Sequence, residues 1–230
     1  TNPTSTTMYK TLISVKAGNA IVVSPHPNAK KCILETVRII QEAAKAAGAP
    51  DGLIQCIETT TMQATDTLMK HPDTGIILAT GGSAMVKAAY SSGNPALGVG
   101  PGNGPSFIER SADIPMAVKH IMDSKTFDNG TICASEQSIV TERCIKDQVM
   151  AEVKKQGGYF LDEEQSKKLE KMIMRANNTM NPAIVGKSVQ TIARMAGITV
   201  PEGTRVLVSE QTEVGPKHPY SREKLCPILA

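Results

Sequence analysis

The sequence has no tryptophan, three phenylalanines and four tyrosines, so aromatics make up only 3% of its 230 residues. A protein that binds single-stranded nucleic acid by stacking needs an aromatic platform, and this chain has little to build one with. Neither sign of charge dominates: 25 Lys and Arg against 22 Asp and Glu leave a net charge of +3. The basic residues are scattered, and Lys30-Lys31 is too short a cluster for a nucleic-acid patch. No apolar run approaches the roughly 20 residues that cross a bilayer. No basic segment followed by an apolar stretch opens the chain as a secretion signal would. The five cysteines are odd in number and irregular in spacing, which fits neither a disulfide framework nor a zinc pattern. These absences predict no nucleic acid, no membrane, no metal site and a reducing, cytoplasmic setting.

What is present is an ordinary globular composition, 40% hydrophobic and 20% charged. The length suits one large or two small domains. The first hundred residues alternate strand and helix signals. Ala20 to Val23 is a short β-branched run closed by Pro25-His26-Pro27. Lys30 to Ala47 has helical periodicity, with Ile33, Val37, Ile40, Ala44 and Ala47 on one face and Gly48 at its end. Leu53 to Ile57, Ile76 to Ala79 and Ala96 to Val99 read as strands. Thr61 to Met69 reads as a helix, and Gly81-Gly82-Ser83 opens another that runs through Tyr90. Alternation of this kind predicts βαβ units and a parallel sheet.

The pattern restarts after the glycine-rich stretch Gly98 to Gly104, the natural hinge between two α/β lobes. Ser106 to Glu109, Gln137 to Thr141 and Arg205 to Ser209 read as strands. Ile114 to Asp123, Ile145 to Gln156, Asp162 to Ala176 and Val189 to Ala196 read as helices. Asp162 is placed to cap the third of these, and Leu169, Met172 and Ile173 form its apolar stripe.

One cysteine stands apart. Cys133 lies in Phe127-Asp128-Asn129-Gly130-Thr131-Ile132-Cys133-Ala134-Ser135-Glu136-Gln137, between an Asn-Gly turn and a strand. A thiol so placed can face a cleft, where nearby amides favour the reactive thiolate. The common role of a free cysteine is buried filler, and local sequence leaves both readings open.

Six blocks along the chain, taken in order, resemble the aldehyde dehydrogenase superfamily, and most of all its CoA-acylating branch. They are Thr1-Asn2-Pro3-Thr4, Ser24-Pro25-His26-Pro27, Ala79-Thr80-Gly81-Gly82, Gly98-Val99-Gly100-Pro101-Gly102-Asn103, the Cys133 stretch, and Glu223-Lys224-Leu225-Cys226-Pro227. The resemblance implies an α/β, aldehyde-dehydrogenase-like fold of two Rossmann-like lobes with parallel-rich sheets and a cleft between them. Residues 1–99 would be part of the NAD-binding lobe and residues 100–230 the catalytic lobe. Family chains are longer, so the chain reads as part of a larger enzyme, incomplete at its C-terminus and homo-oligomeric when whole. The cytoplasm, or a bacterial microcompartment within it, would be its place.

The resemblance also assigns roles. Cys133 would be the nucleophile and Asn2 an amide donor to the oxyanion, where a fixed N–H is worth about 3–4 kcal/mol. Ser24, Pro25 and His26 would lie at the adenosine end of NAD, although Ser24 stands where hydrolytic relatives carry a lysine. Thr80, Gly81 and Gly82 would form the pyrophosphate turn at a helix start, although the full G-x-G-x-x-G spacing is missing. Glu223 would hold the nicotinamide ribose. Val99 stands where hydrolytic relatives carry the glutamate that activates water. A thiol, coenzyme A, would then take the acyl group of a short-chain aldehyde and leave as acyl-CoA. A hydrolytic aldehyde dehydrogenase and a non-catalytic nucleotide-binding module are the alternatives. A structural role in a filament or shell could coexist with catalysis. Cys32, Cys56, Cys144 and Cys226 are assigned no chemistry, and Asp128 and Glu136 could tune the nucleophile they flank.

Overall fold

A computed structural model describes all 230 residues. The chain forms two compact units, Thr1–Pro101 and Gly102–Ala230.

The first unit runs α1 (Pro3–Lys16), β1 (Ile21–Val23), α2 (Lys30–Ala46), β2 (Ile54–Cys56), α3 (Met62–Lys70), β3 (Ile77–Thr80), α4 (Ser83–Tyr90) and β4 (Ala96–Val99). β1 pairs in parallel with β2, and β3 with β4. Each pair is bridged by a helix, as a parallel connection requires. The expected face of α2 is inside: Ile33 and Val37 are buried against Ile54, with Ile40 and Ala44 beside them. Ala47, expected on the same face, is exposed. Thr61 caps α3 by accepting the Ala64 N–H.

Helix α1 was not anticipated from the sequence. Its residues are rich in threonine, a weak helix former, and Asn2-Pro3 reads equally well as a turn. Pro3 occupies the first helical turn, where its fixed φ is pre-set for a helix. Thr7 and Thr11 are buried, and Lys10 Nζ donates to the Leu78 carbonyl on β3 at 2.6 Å. Packing on the unit, rather than propensity, holds this helix.

The second unit runs β5 (Gly104–Ile108), α5 (Ile114–Thr126), β6 (Glu136–Thr141), α6 (Lys146–Lys155), β7 (Gly158–Phe160), α7 (Glu163–Ile173), α8 (Val189–Met195), β8 (Val206–Val208) and β9 (Ile228–Leu229). β5 pairs in parallel with β6, and β8 lies between β7 and β9, parallel to both. β8 is buried throughout its length, as a central parallel strand should be. One core cluster gathers Leu169, Ile173, Ile192, Leu207 and Ile228, and another gathers Val118, Met122, Val149, Val153 and Val208. Asp162 caps α7 in a full capping box with Gln165.

Three details differ from the sequence reading. β7 and β9 are two or three residues long, too short for an alternation signal. α7 stops at Ile173 rather than Ala176, because Asn178 adopts a left-handed conformation and Met174 bridges back to Met180. α5 continues to Thr126, which brings Lys125 into its last turn. No helix is long and apolar enough to cross a membrane.

Candidate active site

Cys133 is presented by an unusual loop. After α5 the chain makes a tight 3-10 turn, Phe127–Gly130, in which Asp128 (φ 47°), Asn129 (φ 50°) and Gly130 (φ 71°) are all left-handed. Asp and Asn tolerate this region best among residues with a side chain. Asp128 is held in the turn by the Thr131 hydroxyl, which donates to Oδ2 at 2.7 Å. A Cβ on Gly130 would stand 2.9 Å from the main chain of Cys226 and from the Lys125 carbonyl. The loop is therefore pressed onto the segment that ends at β9. The Ser135 N–H then donates to the Ile132 carbonyl at 3.0 Å, so Cys133 sits in a second tight turn directly before β6. It is half-buried. Beside it, Ser135 Oγ and Glu136 Oε2 are buried without a hydrogen-bond partner.

The other cysteines differ. Cys226 is fully buried, and burial pushes its thiol up to about 12, which keeps it protonated and inert. Cys32 and Cys144 are exposed, and Cys56 is half-buried with its thiol pushed up by burial.

Glu223 meets the Cys133 loop at Gly102. The Gly102 N–H donates to Glu223 Oε1 at 2.7 Å. A Cβ on Gly102 would fall 2.1 Å from the Cys133 carbonyl oxygen and 3.4 Å from the same Glu223 oxygen. Only glycine lets the Cys133 main chain and the Glu223 carboxylate close on one residue. Glu223 is half-buried. Burial pushes its carboxyl up, and the Gly102 N–H and the Lys125 charge moderate that shift.

Beneath this junction lies a polar cluster that sequence reasoning missed. Lys125, Gln137 and Lys224 are all 0% exposed. Lys125 Nζ donates to Gln137 Oε1 at 3.3 Å and to the Lys224 carbonyl at 3.1 Å. Lys224 Nζ donates to the Tyr220 and Arg222 carbonyls. Burial lowers Lys125 to about 8 and Lys224 to about 7. In sequence a lysine in the last turn of a helix reads as a solvated group favoured by the helix dipole, so nothing marked Lys125 as internal.

The remaining predicted residues lie in the first unit. Asn2 caps α1 with its main chain, its carbonyl accepting from the Thr6 N–H at 3.1 Å. Its side-chain oxygen accepts from Thr1 Oγ1 at 3.0 Å. Ser24, Pro25 and His26 follow the carboxyl end of β1. Ser24 Oγ pairs with Thr65 Oγ1 at 2.8 Å, and His26 Nδ1 accepts from the Asn28 N–H at 3.2 Å. Thr80 ends β3, and Gly81 and Gly82 lead into α4, exposed. Gly82 caps α4 without a side chain, so the first amides of that helix are open to an anion. Val99 ends β4 and is exposed.

Residues 2–221 match the aldehyde dehydrogenase family. The chain is 70% identical to a probable aldehyde dehydrogenase from Listeria monocytogenes EGD-e, with a TM-score of 0.96 over 99% of this chain and 50% of that one. It is 59% identical to an acetylating aldehyde dehydrogenase from Geobacillus thermoglucosidasius, with a TM-score of 0.94 over 99% of this chain and 50% of that one. It is 49% identical to the bifunctional aldehyde-alcohol dehydrogenase of Escherichia coli (strain K12), over all of this chain and 26% of that protein. The chain thus spans half the length of these two solved structures. Two relatives at 33% identity and a TM-score of 0.88 have been solved with ligands: an engineered glycolyl-CoA reductase with NADP+, and a propionaldehyde dehydrogenase from Rhodopseudomonas palustris with CoA and an acylated cysteine. A propionaldehyde dehydrogenase from a Clostridium phytofermentans microcompartment is also similar, at 33% identity and a TM-score of 0.90. The chain belongs to the aldehyde dehydrogenase family, in its CoA-acylating branch.

Proposed function

We propose that the complete protein oxidises a short-chain aldehyde with NAD and transfers the acyl group to coenzyme A. The observation that carries this reading is the half-buried Cys133, raised on a tight turn whose carbonyl closes on Gly102, the residue that holds Glu223.

In this reading the Cys133 thiolate adds to the aldehyde carbon, and one carbon–sulfur bond forms. The oxyanion is met by the Cys133 main-chain N–H and, on the family resemblance, by the Asn2 side-chain amide. A bound nicotinamide dinucleotide supplies the hydride acceptor. The residues present suit such a ligand: Glu223 offers a carboxylate to ribose hydroxyls, and the open amides at the start of α4 offer donors to a pyrophosphate. Loss of hydride and of the hydroxyl proton from the thiohemiacetal leaves a thioester on Cys133. The CoA thiolate then adds to the thioester carbon and Cys133 leaves as thiolate, free for another turn. This is covalent catalysis with ping-pong character. It is reversible because one thioester is exchanged for another of similar energy. NAD is the proposed dinucleotide because Ser24 brings no positive charge to a ribose phosphate.

Val99 supports thiolysis over hydrolysis, since it supplies no carboxylate to activate water. A positioned base contributes about 10²–10⁴-fold, so the acyl-enzyme should wait for a thiol. Rapid mixing of the complete protein with aldehyde and NAD should give one burst of NADH per Cys133 and little more, and CoA should restore steady turnover. Steady turnover at a similar rate without CoA would favour the hydrolytic alternative.

A further inference from the structure

The buried cluster of Lys125, Gln137 and Lys224 has no part in the chemistry above, and its geometry is specific. Residue 224 is gripped by its main chain from both sides. Its N–H donates to Gln137 Oε1 at 2.8 Å, and its carbonyl accepts from Lys125 Nζ at 3.1 Å. Lys125 Nζ also donates to that Gln137 oxygen, so the two side chains act as one clamp. The other end of the Gln137 amide reaches the opposite way: Nε2 donates to the Ser135 carbonyl at 3.3 Å, in the turn that carries Cys133. One side chain thus ties the residue after Glu223 to the turn of the nucleophile.

Packing alone does not account for this arrangement. A methionine would fill the place of Lys125 without desolvating an ammonium, and burying an unpaired charge is among the costliest things a fold can do. The charge is answered by two acceptors and by the nearby Glu136 and Glu223 carboxylates. Fixing the Lys224 peptide fixes the direction in which Glu223 leaves the chain. Glu223 has one hydrogen bond of its own, from Gly102, to hold it there.

We propose that Lys125 and Gln137 are positioning residues that act through Glu223: they clamp the Lys224 main chain so that the Glu223 carboxylate stays over Gly102, and so set dinucleotide affinity without touching the dinucleotide. This rests on the reading of Glu223 as a ribose ligand. It makes the clamp, rather than Glu223 alone, the determinant of how well the nicotinamide end is held beside the nucleophile.

The test is a double-mutant cycle on the complete protein, read by direct NAD titration without aldehyde or CoA. Lys125→Met should weaken NAD binding by about tenfold, the order of one charge-assisted hydrogen bond. In a Glu223→Ala background the same substitution should have almost no further effect, because groups that act through one another are not additive. Gln137→Met should behave as Lys125→Met does. Gln137→Glu, which keeps the acceptor for both donors, should retain most of the affinity. The rate of Cys133 alkylation by iodoacetamide should stay within about threefold in Lys125→Met, since the Lys125 ammonium bonds neither the thiol nor the turn that carries it. Hydrogen exchange at the Gly102 amide should speed up in the two methionine variants. If Lys125→Met does not fold, Gln137→Met carries the same comparison.

Full additivity with Glu223→Ala would overturn the proposal, as would a parallel loss of alkylation in Lys125→Met or an absence of NAD binding in the unsubstituted protein. NAD binding with a non-additive cycle but no CoA-dependent turnover would defeat the proposed reaction and leave the clamp standing. CoA-dependent turnover with an additive cycle would do the reverse.

Discussion

Two cysteines, each preceded by a branched aliphatic residue, end in opposite states. Cys133 is half-buried on a turn, and Cys226 is fully buried with a thiol held near 12. Cys133→Ala should abolish aldehyde oxidation in the complete protein while NAD binding persists. Cys226→Ala should leave the reaction intact and lower stability by about 1–2 kcal/mol through lost packing, read by urea unfolding. Turnover by Cys133→Ala would remove the nucleophile from the mechanism. Gly102 is the sharper case. Its open φ/ψ freedom is not the issue, because the missing Cβ is what lets the Cys133 carbonyl come so close. Gly102→Ala must push one partner away. It should cost about 1–3 kcal/mol as overpacking and reduce NAD-dependent turnover at least tenfold, with KM for NAD raised. A variant with unchanged kinetics would show that the junction is not needed. The sequence marked Cys133, Glu223 and the glycine-rich stretch, but gave no sign that Gly102 is where the first two meet.

At the scale of elements, local signals and tertiary contacts divide the work. The Asp162 capping box is purely local: the Asp162 side chain accepts the Gln165 N–H at 2.8 Å, and Gln165 returns the bond to the Asp162 N–H at 3.1 Å. Asp162→Ala should therefore lower stability by about 1 kcal/mol in thermal unfolding, without altering NAD binding. A loss several times larger would mean that the α7 start supports more than its own helix. Helix α1 obeys the other rule. Its threonines do not favour a helix, but Thr7 and Thr11 are buried and Lys10 is bonded to β3. Strands β7 and β9 are similar, defined by their pairing with the buried β8 and not by their own residues.

At the scale of the whole chain the two units carry different amounts of core. The second unit holds two large clusters of buried residues, the first two small ones. Native-state hydrogen exchange of the 230-residue chain should show slower amides at Leu169, Leu207 and Ile228 than anywhere in α2 or β3. Equal protection in both units would contradict this. The buried lysines add a pH dependence. Lys125 and Lys224 titrate near 8 and near 7 in the folded chain, against an ordinary 10.5. Above pH 7 the unfolded chain binds more protons at these sites than the folded one, so stability rises with pH. Above about 9 the Cys226 thiol works the other way, since the folded chain keeps a proton that the unfolded chain loses. The urea midpoint should climb between pH 7 and 9, and Lys224→Met should flatten the climb. A midpoint that falls over this window would show that the lysine charges are not desolvated as the fold implies.

By itself the sequence determined the α/β alternation, because periods of apolar residues, caps and glycines are local and additive. The Asn-Gly turn before Cys133, the Asp162 cap and the α2 face were legible for that reason. It also determined the family, since six separated blocks kept their order. What only the tertiary structure decided is which polar residues go inside. Lys125, Gln137 and Lys224 carry no local mark of burial. The ammonium of Lys125 is answered inside only because acceptors from other segments converge on it, from residues 12 and 99 positions away. That convergence is a property of the folded chain, because a hydrogen bond between distant segments exists only once both have been brought to the same place.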